Sequence, residues 1–264
     1  MAFQFHDSHI SDFYSLGYTV FQRIVPPALI RDLRRVADQA REIIHQERGR
    51  QAQRLQPIAA YELDPKPCQD FAELSPLRDA ISKVLSPQAK FGNVQTMGIL
   101  LHPGDMPYCT HWHRDFRDNY PGLDLASWEA ATQDIELFNQ LNCPLYEDSS
   151  LWVVPGSHLR QDLPSEIEQF PDRPVPPPDL EDKSSEEREQ ICLDYCQSMP
   201  SAVHLYLDAG DFVLYRNTLW HLGNYVPYRS RATLHDFVET PKYKTWRDEA
   251  DRQLRQHLKQ TGTS

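Results

Sequence analysis

Apolar residues recur along this chain with two different periods. Residues 17–25 (GYTVFQRIV) form a short β-branched and aromatic run that predicts a strand. Pro26-Pro27 then opens a segment in which Leu29, Ile30, Leu33, Val36, Ala37, Ala40, Ile43 and Ile44 fall at helical spacing, which predicts an amphipathic helix with one stripe on a core. A second helix is expected from Ser75 as N-cap, Pro76 at the first helical position, and Leu77, Ile81, Val84 and Leu85 on one face. Beyond about residue 90 the period changes. NVQTMGILL (93–101), DIELFNQLN (134–142), LWVVPGS (151–157), AVHLYL (202–207), DFVLY (211–215) and RATLHDFV (231–238) are short β-type runs separated by turn residues. Helices first and many short strands afterwards predict a mostly-β fold with flanking helices, its strands in a sandwich or barrel.

One stretch interrupts the strands. Residues 161–183 are acidic and proline-rich, and Ser184 with Glu187 then forms a capping box that starts a helix running to about Cys196. The stretch reads as an insertion over about 161–200, serving either as a surface excursion or as a lid over a site. At 264 residues, with no composition break, the expected organisation is a single domain over 1–264: a helical part at about 26–90 and a strand core at about 91–240.

Composition and charge narrow the function classes. No apolar run approaches the roughly 20 residues needed to cross a bilayer, and MAFQFHDSHI lacks the basic and apolar regions of a secretory signal, so a cytoplasmic protein without a membrane partner is expected. A formal net charge of −11 argues against nucleic acid, whose phosphates must be neutralised by Lys and Arg. The arginines clustered between Arg31 and Arg54 would suit a phosphorylated ligand, but Asp32, Asp38, Glu42 and Glu47 are interleaved with them, and a solvated helix face is the preferred reading. Cys68, Cys109, Cys143, Cys192 and Cys196 contain no CxxC pair and are expected to be reduced, half-buried small hydrophobes.

The candidate chemistry lies in CTHWHRDF, just after the turn HPGD. His113-Arg114-Asp115 is an H-x-D element, and on an extended strand residues i and i+2 project to the same side, so an imidazole and a carboxylate can share a metal. A second histidine from elsewhere would complete a two-histidine, one-carboxylate set with three open positions, the arrangement of non-haem Fe(II) oxygenases. An alternative pairs His111 with His113, with Asp118 as third ligand, as in a cupin. His158 reads as a hairpin-stabilising residue, His102, His204 and His235 as satisfied core or edge histidines, and Trp112 and Trp152 as core aromatics or substrate contacts.

Downstream, WVVPGSHL (152–159), DAGDFVLYRNTLWH (208–221) and the ten-residue step from His221 to Arg231 follow in order. With the H-x-D element these segments resemble the phytanoyl-CoA dioxygenase-like family of Fe(II)/2-oxoglutarate-dependent oxygenases, from about residue 12 to residue 238. The resemblance implies a double-stranded β-helix (jelly-roll) core, with His113, Asp115 and His221 holding Fe(II), Arg231 gripping the far carboxylate of 2-oxoglutarate, Phe138 lining the cosubstrate, and O2 as oxidant. Arg231 is preferred over Arg229 by spacing and by the strand-like ATLHDF after it. Gly223 departs from the hydroxyl residue that some members carry there. The intact Asp115 implies hydroxylation rather than halogenation. The implied substrate is a small molecule; the acidic insertion, if it covers the mouth, is a poor neighbour for CoA phosphates, which favours a non-CoA metabolite. A catalytically silent jelly-roll binding protein is the non-enzymatic alternative, and the joint presence of the triad and the arginine counts against it.

Overall fold

A computed structural model describes residues 3–261. Helix α1 (Asp7–Leu16) ends at Gly17, whose φ of 83° closes the helix in a left-handed cap. A side chain there would also meet the His158 ring, 2.5 Å from a Cβ, so this glycine sets how closely the PGSH turn approaches α1. Strand β1 (Tyr18–Phe21) leads into α2 (Pro27–Arg48), which starts with proline at its first position and buries Ile30, Leu33, Val36, Ala37, Ala40 and Ile44. Arg31 and Arg35 lie on its exposed face, as expected. Strand β2 (Arg54–Leu55) precedes α3 (Lys66–Ala72) and α4 (Ser75–Val84). The expected cap of α4 is displaced by one residue: Leu74 occupies the N-cap position and Ser75 is already helical.

The strands follow as β3 (Gly98–Leu101), β4 (Tyr108–Cys109), helix α5 (Leu125–Ala131), β5 (Asn139–Pro144) and β6 (Leu151–Val153). Helices α6 (Pro164–Gln169) and α7 (Ser185–Ser198) occupy the excursion, and α7 begins with the expected Ser184–Glu187 capping box. The chain closes with β7 (Val203–His204), β8 (Phe212–Arg216), β9 (His221–Tyr225), β10 (Ala232–Val238) and helix α8 (Pro241–Thr261). Residues 93–97 and 134–138, expected as strand, are turns. Asn93 accepts from the Gln95 and Thr96 amides, and Asp134 from those of Glu136 and Leu137, so local bonds outcompete the ladder. Helices hold more residues than strands, so "mostly β" described the centre of the molecule and not the whole.

The strands form two antiparallel sheets, ordered β1-β8-β5-β10-β3-β2 and β4-β9-β6-β7. Side-chain alternation divides each sheet into two faces. Leu234 and Val238 of β10, with Ile99, Leu141, Phe212 and Leu214, pack under α2, α3 and α4, while Thr233, His235 and Phe237 face the other way. Burying each of the fully enclosed Leu33, Phe71, Leu141 and Phe212 contributes roughly 1.5–3 kcal/mol, so the helical layer is integral to the fold. On the smaller sheet Trp152, Trp220 and Leu222 form an outer face with Trp112, covered by Phe170, Cys192, Cys196 and Met199 of the excursion. The five cysteines are free and fully buried, deeper than expected. Among the described residues no helix is long and apolar enough to cross a membrane.

Candidate metal centre

The inner faces of the two sheets enclose a cavity of about 500 Å³. Strand pairing arranges its large-sheet wall in rows: Tyr215, Gln140 and Phe237; then Asn142, His235 and Gly98; then Thr233, Leu100 and Arg54. From the smaller sheet, β9 presents His221, Gly223 and Tyr225 at alternate positions.

His113 sits opposite His221 in a single antiparallel bridge, each backbone amide donating to the other's carbonyl at 3.1 and 3.0 Å. The rings meet with centroids 4.2 Å apart. The extended geometry expected of the H-x-D element holds only at this bridge, because the chain turns at Asp115 and Phe116 takes a φ of 67°. The Asp115 amide is anchored on the carbonyl of Asn217 at 2.9 Å. His113, Asp115 and His221 bring ligating atoms within 4.8 Å of one another.

Both imidazoles are held through Nδ1, which pairs with the backbone carbonyl two residues earlier: His111 for His113 at 2.8 Å, Leu219 for His221 at 2.9 Å. A ring whose Nδ1 donates keeps its Nε2 lone pair for a metal, so the backbone selects the ligating tautomer of both histidines. Asp115 accepts from the Asn119 amide on Oδ1 (3.1 Å) and from the Gln140 amide on Oδ2 (2.6 Å), and Gln140 in turn accepts from the Tyr215 hydroxyl at 2.8 Å. Burial and the neighbouring His221 hold the His113 pKa below its ordinary value. Burial pushes Asp115 upward, but His221, His113 and Asn119 outweigh it and hold the carboxyl below the usual range. A neutral imidazole beside an ionised carboxylate is the state a divalent cation needs. This donor set fits a non-haem iron ion.

The other expected residues divide sharply. Arg231 lines the cavity, its Nε donating to Asp148 at 2.9 Å, its guanidinium 4.9 Å from the centroid of the Tyr225 ring and its backbone amide bonded to His102 Nδ1. Arg229 points elsewhere, exposed and bonded to Ser149. Phe138 is fully buried in a cluster with Phe116, Trp128 and Trp246 and does not reach the cavity; Gln140, two residues on, takes the wall position. Asp118 accepts from the Arg114 amide (2.7 Å) and pairs with Arg117, and neither it nor His111 joins the ligand group, so the His111–His113–Asp118 cupin set is not assembled. Trp112 and Trp152 lie on the outer face of the small sheet, His204 stacks on Trp152, and His158 is buried beside Gly17. No residue of 161–200 lines the cavity: the excursion covers the back of the small sheet and not the mouth.

Sequence reasoning missed Gln140, Asn119, Tyr215, Tyr225, His235, Arg54 and Arg247, all of which line the cavity. One signal was available. Gln140 and Asn142 are polar residues two apart within a strand that is buried on both faces, the mark of a polar interior wall. Arg247 comes from α8, whose approach to the site no local pattern announces.

No family model and no curated protein matches the chain. Among solved structures, AviO1 from Streptomyces viridochromogenes Tue57 is similar with a TM-score of 0.58 at 15% identity, over 91% of this chain and 97% of that one. EctD from S. alaskensis, solved with 2-oxoglutarate and 5-hydroxyectoine, gives 0.58 at 15% identity, over 90% and 77%. SnoK, a non-heme alpha-ketoglutarate-dependent carbocyclase from nogalamycin biosynthesis, gives 0.55 at 16% identity, over 89% and 84%. The chain shares their fold. The geometry above stands independently of that likeness, since each bond to Asp115, His113 and His221 belongs to this chain.

Proposed function

We propose that the chain is an Fe(II)- and 2-oxoglutarate-dependent dioxygenase that hydroxylates a small-molecule metabolite, releasing succinate and CO2. The observation that carries this reading is the pair of imidazoles tethered through Nδ1 beside a carboxylate braced by two amides, in one cavity with Arg231. The fold shared with SnoK and EctD supports it. Within the class, the H-x-D element, His221 and the step to Arg231 favour the phytanoyl-CoA dioxygenase-like family, with the two sheets as a double-stranded β-helix.

His113, Asp115 and His221 would hold the metal, which supplies the centre where 2-oxoglutarate chelates and O2 is activated. Gln140 and Asn119 fix the rotamer of Asp115 through a hydrogen bond to each carboxylate oxygen. Arg231, its Nε committed to Asp148, has its Nη groups left for the far carboxylate of the cosubstrate, a charge-assisted contact worth about 1.5–3 kcal/mol. Tyr225 supplies a hydroxyl on the same side. Gly223 makes this possible, since a Cβ there would lie 1.8 Å from the tyrosine oxygen, so the hydroxyl fills the space a side chain at 223 would take.

Anaerobic addition of Fe(II) and 2-oxoglutarate is expected to give a visible charge-transfer band; a folded wild-type protein without it would overturn the reading. Arg231→Ala should raise the 2-oxoglutarate concentration needed for that band by about tenfold to a hundredfold. Arg229→Ala should leave it unchanged. Gly223→Ala, by swinging the Tyr225 ring aside, should weaken 2-oxoglutarate by about tenfold, the cost of one hydrogen bond to a charged group, while leaving metal affinity intact. Titration of the band in the three variants checks all of these.

A further inference from the structure

The cavity is cationic in a chain whose formal net charge is −11. Arg54, Arg231 and Arg247 line it against a single carboxylate, Asp115. Two of the arginines have carboxylate partners: Arg231 has Asp148 and Arg247 has Asp251, each at 2.9 Å. Arg54 differs. Its Nε donates to the neutral amide oxygen of Gln56, and among the described residues it enters no ion pair.

Strand register fixes where this charge points. Thr233, Leu100 and Arg54 stand in line across β10, β3 and β2, so the Arg54 side chain leaves the sheet on the same face as Thr233 and His235, toward the small sheet. Because β2 is the edge strand and Arg54 is exposed, the guanidinium stands at the rim of the cavity, whereas Arg231 is buried within it. His235, just inside the rim, is pushed down to about 3 by burial and then by Arg54, so it stays neutral and adds no competing cation. A guanidinium at a cavity mouth, without a carboxylate of its own, is a ready partner for a planar or tetrahedral oxyanion.

We infer that Arg54 recognises an oxyanion group, a carboxylate or a phosphate, on the primary substrate, whose remainder extends along the cavity toward His113, Asp115 and His221. The inference rests on reading the site as a 2-oxoglutarate oxygenase and adds the substrate class to it. With Arg231 committed to the cosubstrate, Arg54 is left for the second anion. An amine substrate would find no free carboxylate on this wall, since Asp115 belongs to the metal set.

The test uses the full chain loaded with Mn(II) and saturated with 2-oxoglutarate, with paramagnetic line broadening read separately for inorganic phosphate (31P), benzoate (13C) and the neutral ester trimethyl phosphate. At least one of the two anions should broaden and the ester should not, and which anion responds distinguishes phosphate from carboxylate. Arg54→Gln should weaken that response by about tenfold, and Arg54→Lys should recover part of it. The 2-oxoglutarate affinity should stay unchanged in both variants. Broadening that is absent for both anions, equal for the ester, or indifferent to Arg54→Gln overturns the inference, as does a loss of 2-oxoglutarate affinity in Arg54→Gln, which would assign Arg54 to the cosubstrate. Failure of 2-oxoglutarate to bind the metal-loaded wild type is a separate result that strikes the parent reading, while the anion arms still report on Arg54.

Discussion

Asp115→Ala is expected to abolish both metal-dependent turnover and the charge-transfer band while leaving the protein folded. The two effects separate because Asp115 serves the site more than the fold. Its carboxylate is buried between two imidazoles, and it stays ionised only because His221, His113 and Asn119 outweigh the desolvation, a cost that the alanine variant sheds. The buried Gln140 amide loses an acceptor, a penalty of about 1–3 kcal/mol that partly cancels the relief, while the exposed Asn119 can turn to water. Metal binding has no such compensation, because His113 and His221 alone offer two nitrogens from one side. Gln140→Leu is the finer probe. Gln140 joins Tyr215 to Asp115, and removing that joint should lower metal affinity by about 10–100-fold without deleting a ligand. Anaerobic Fe(II) titration and urea unfolding of both variants measure the two axes; wild-type metal affinity in Asp115→Ala would exclude this triad as the metal site.

The residues of that site were legible to different degrees for physical reasons. His113 and Asp115 could be paired from their spacing, and the bridge to His221 preserves the geometry that spacing requires, though over one residue pair only. The helices at α2, α4 and α7 announced themselves because each buries one stripe or carries a cap. Helix α8 did not, since only Tyr243 and Ala250 of its residues are buried, too few to mark a stripe. With it went Arg247. Phe138 was expected in the cavity, but its φ of 60° turns the backbone just before β5 and sends the ring into the aromatic cluster beneath. Arg54 was read with the arginines of α2 as one solvated face, because charge pattern alone cannot show that the chain changes from helix to edge strand between them. The excursion was readable as an insertion but not as a lid or a cover, since that depends on which face of a sheet receives it.

That last distinction leads to the substitution with the largest expected effect on stability, Asp162→Ala. Asp162 lies in the excursion, and its carboxylate receives Arg117 at 2.9 Å, Arg114 at 3.1 Å and Arg173 at 2.7 Å. All three guanidiniums lie against the ring of Trp220, at 5.4, 4.5 and 4.9 Å from its centroid for Arg114, Arg117 and Arg173. Arg114 and Arg117 flank Asp115 in sequence and Trp220 precedes His221, so one carboxylate ties together the segments that carry the metal ligands. Arg114 is only 2% exposed, and burial followed by the neighbouring Arg117 pushes its pKa down to about 10, a measure of how much this charge depends on its partner. Removing Asp162 leaves the buried Arg114 without a carboxylate partner, whereas Arg117 keeps Asp118, and should cost about 3–5 kcal/mol in urea unfolding. Acid should reveal the same contact. Burial pushes the Asp162 carboxyl up, but Arg117, Arg114 and Arg173 outweigh it and hold it below its ordinary value. A carboxyl depressed in the folded state contributes stability that is complete above its unfolded pKa of about 3.9 and lost as pH falls toward the folded value. Asp162→Asn should therefore be less stable than wild type at neutral pH and lose less on acidification through that window. A lid residue would behave differently, altering substrate KM with unfolding and metal affinity untouched. The brace predicts that stability and Fe(II) affinity fall together, and wild-type values for both in Asp162→Ala would refute it.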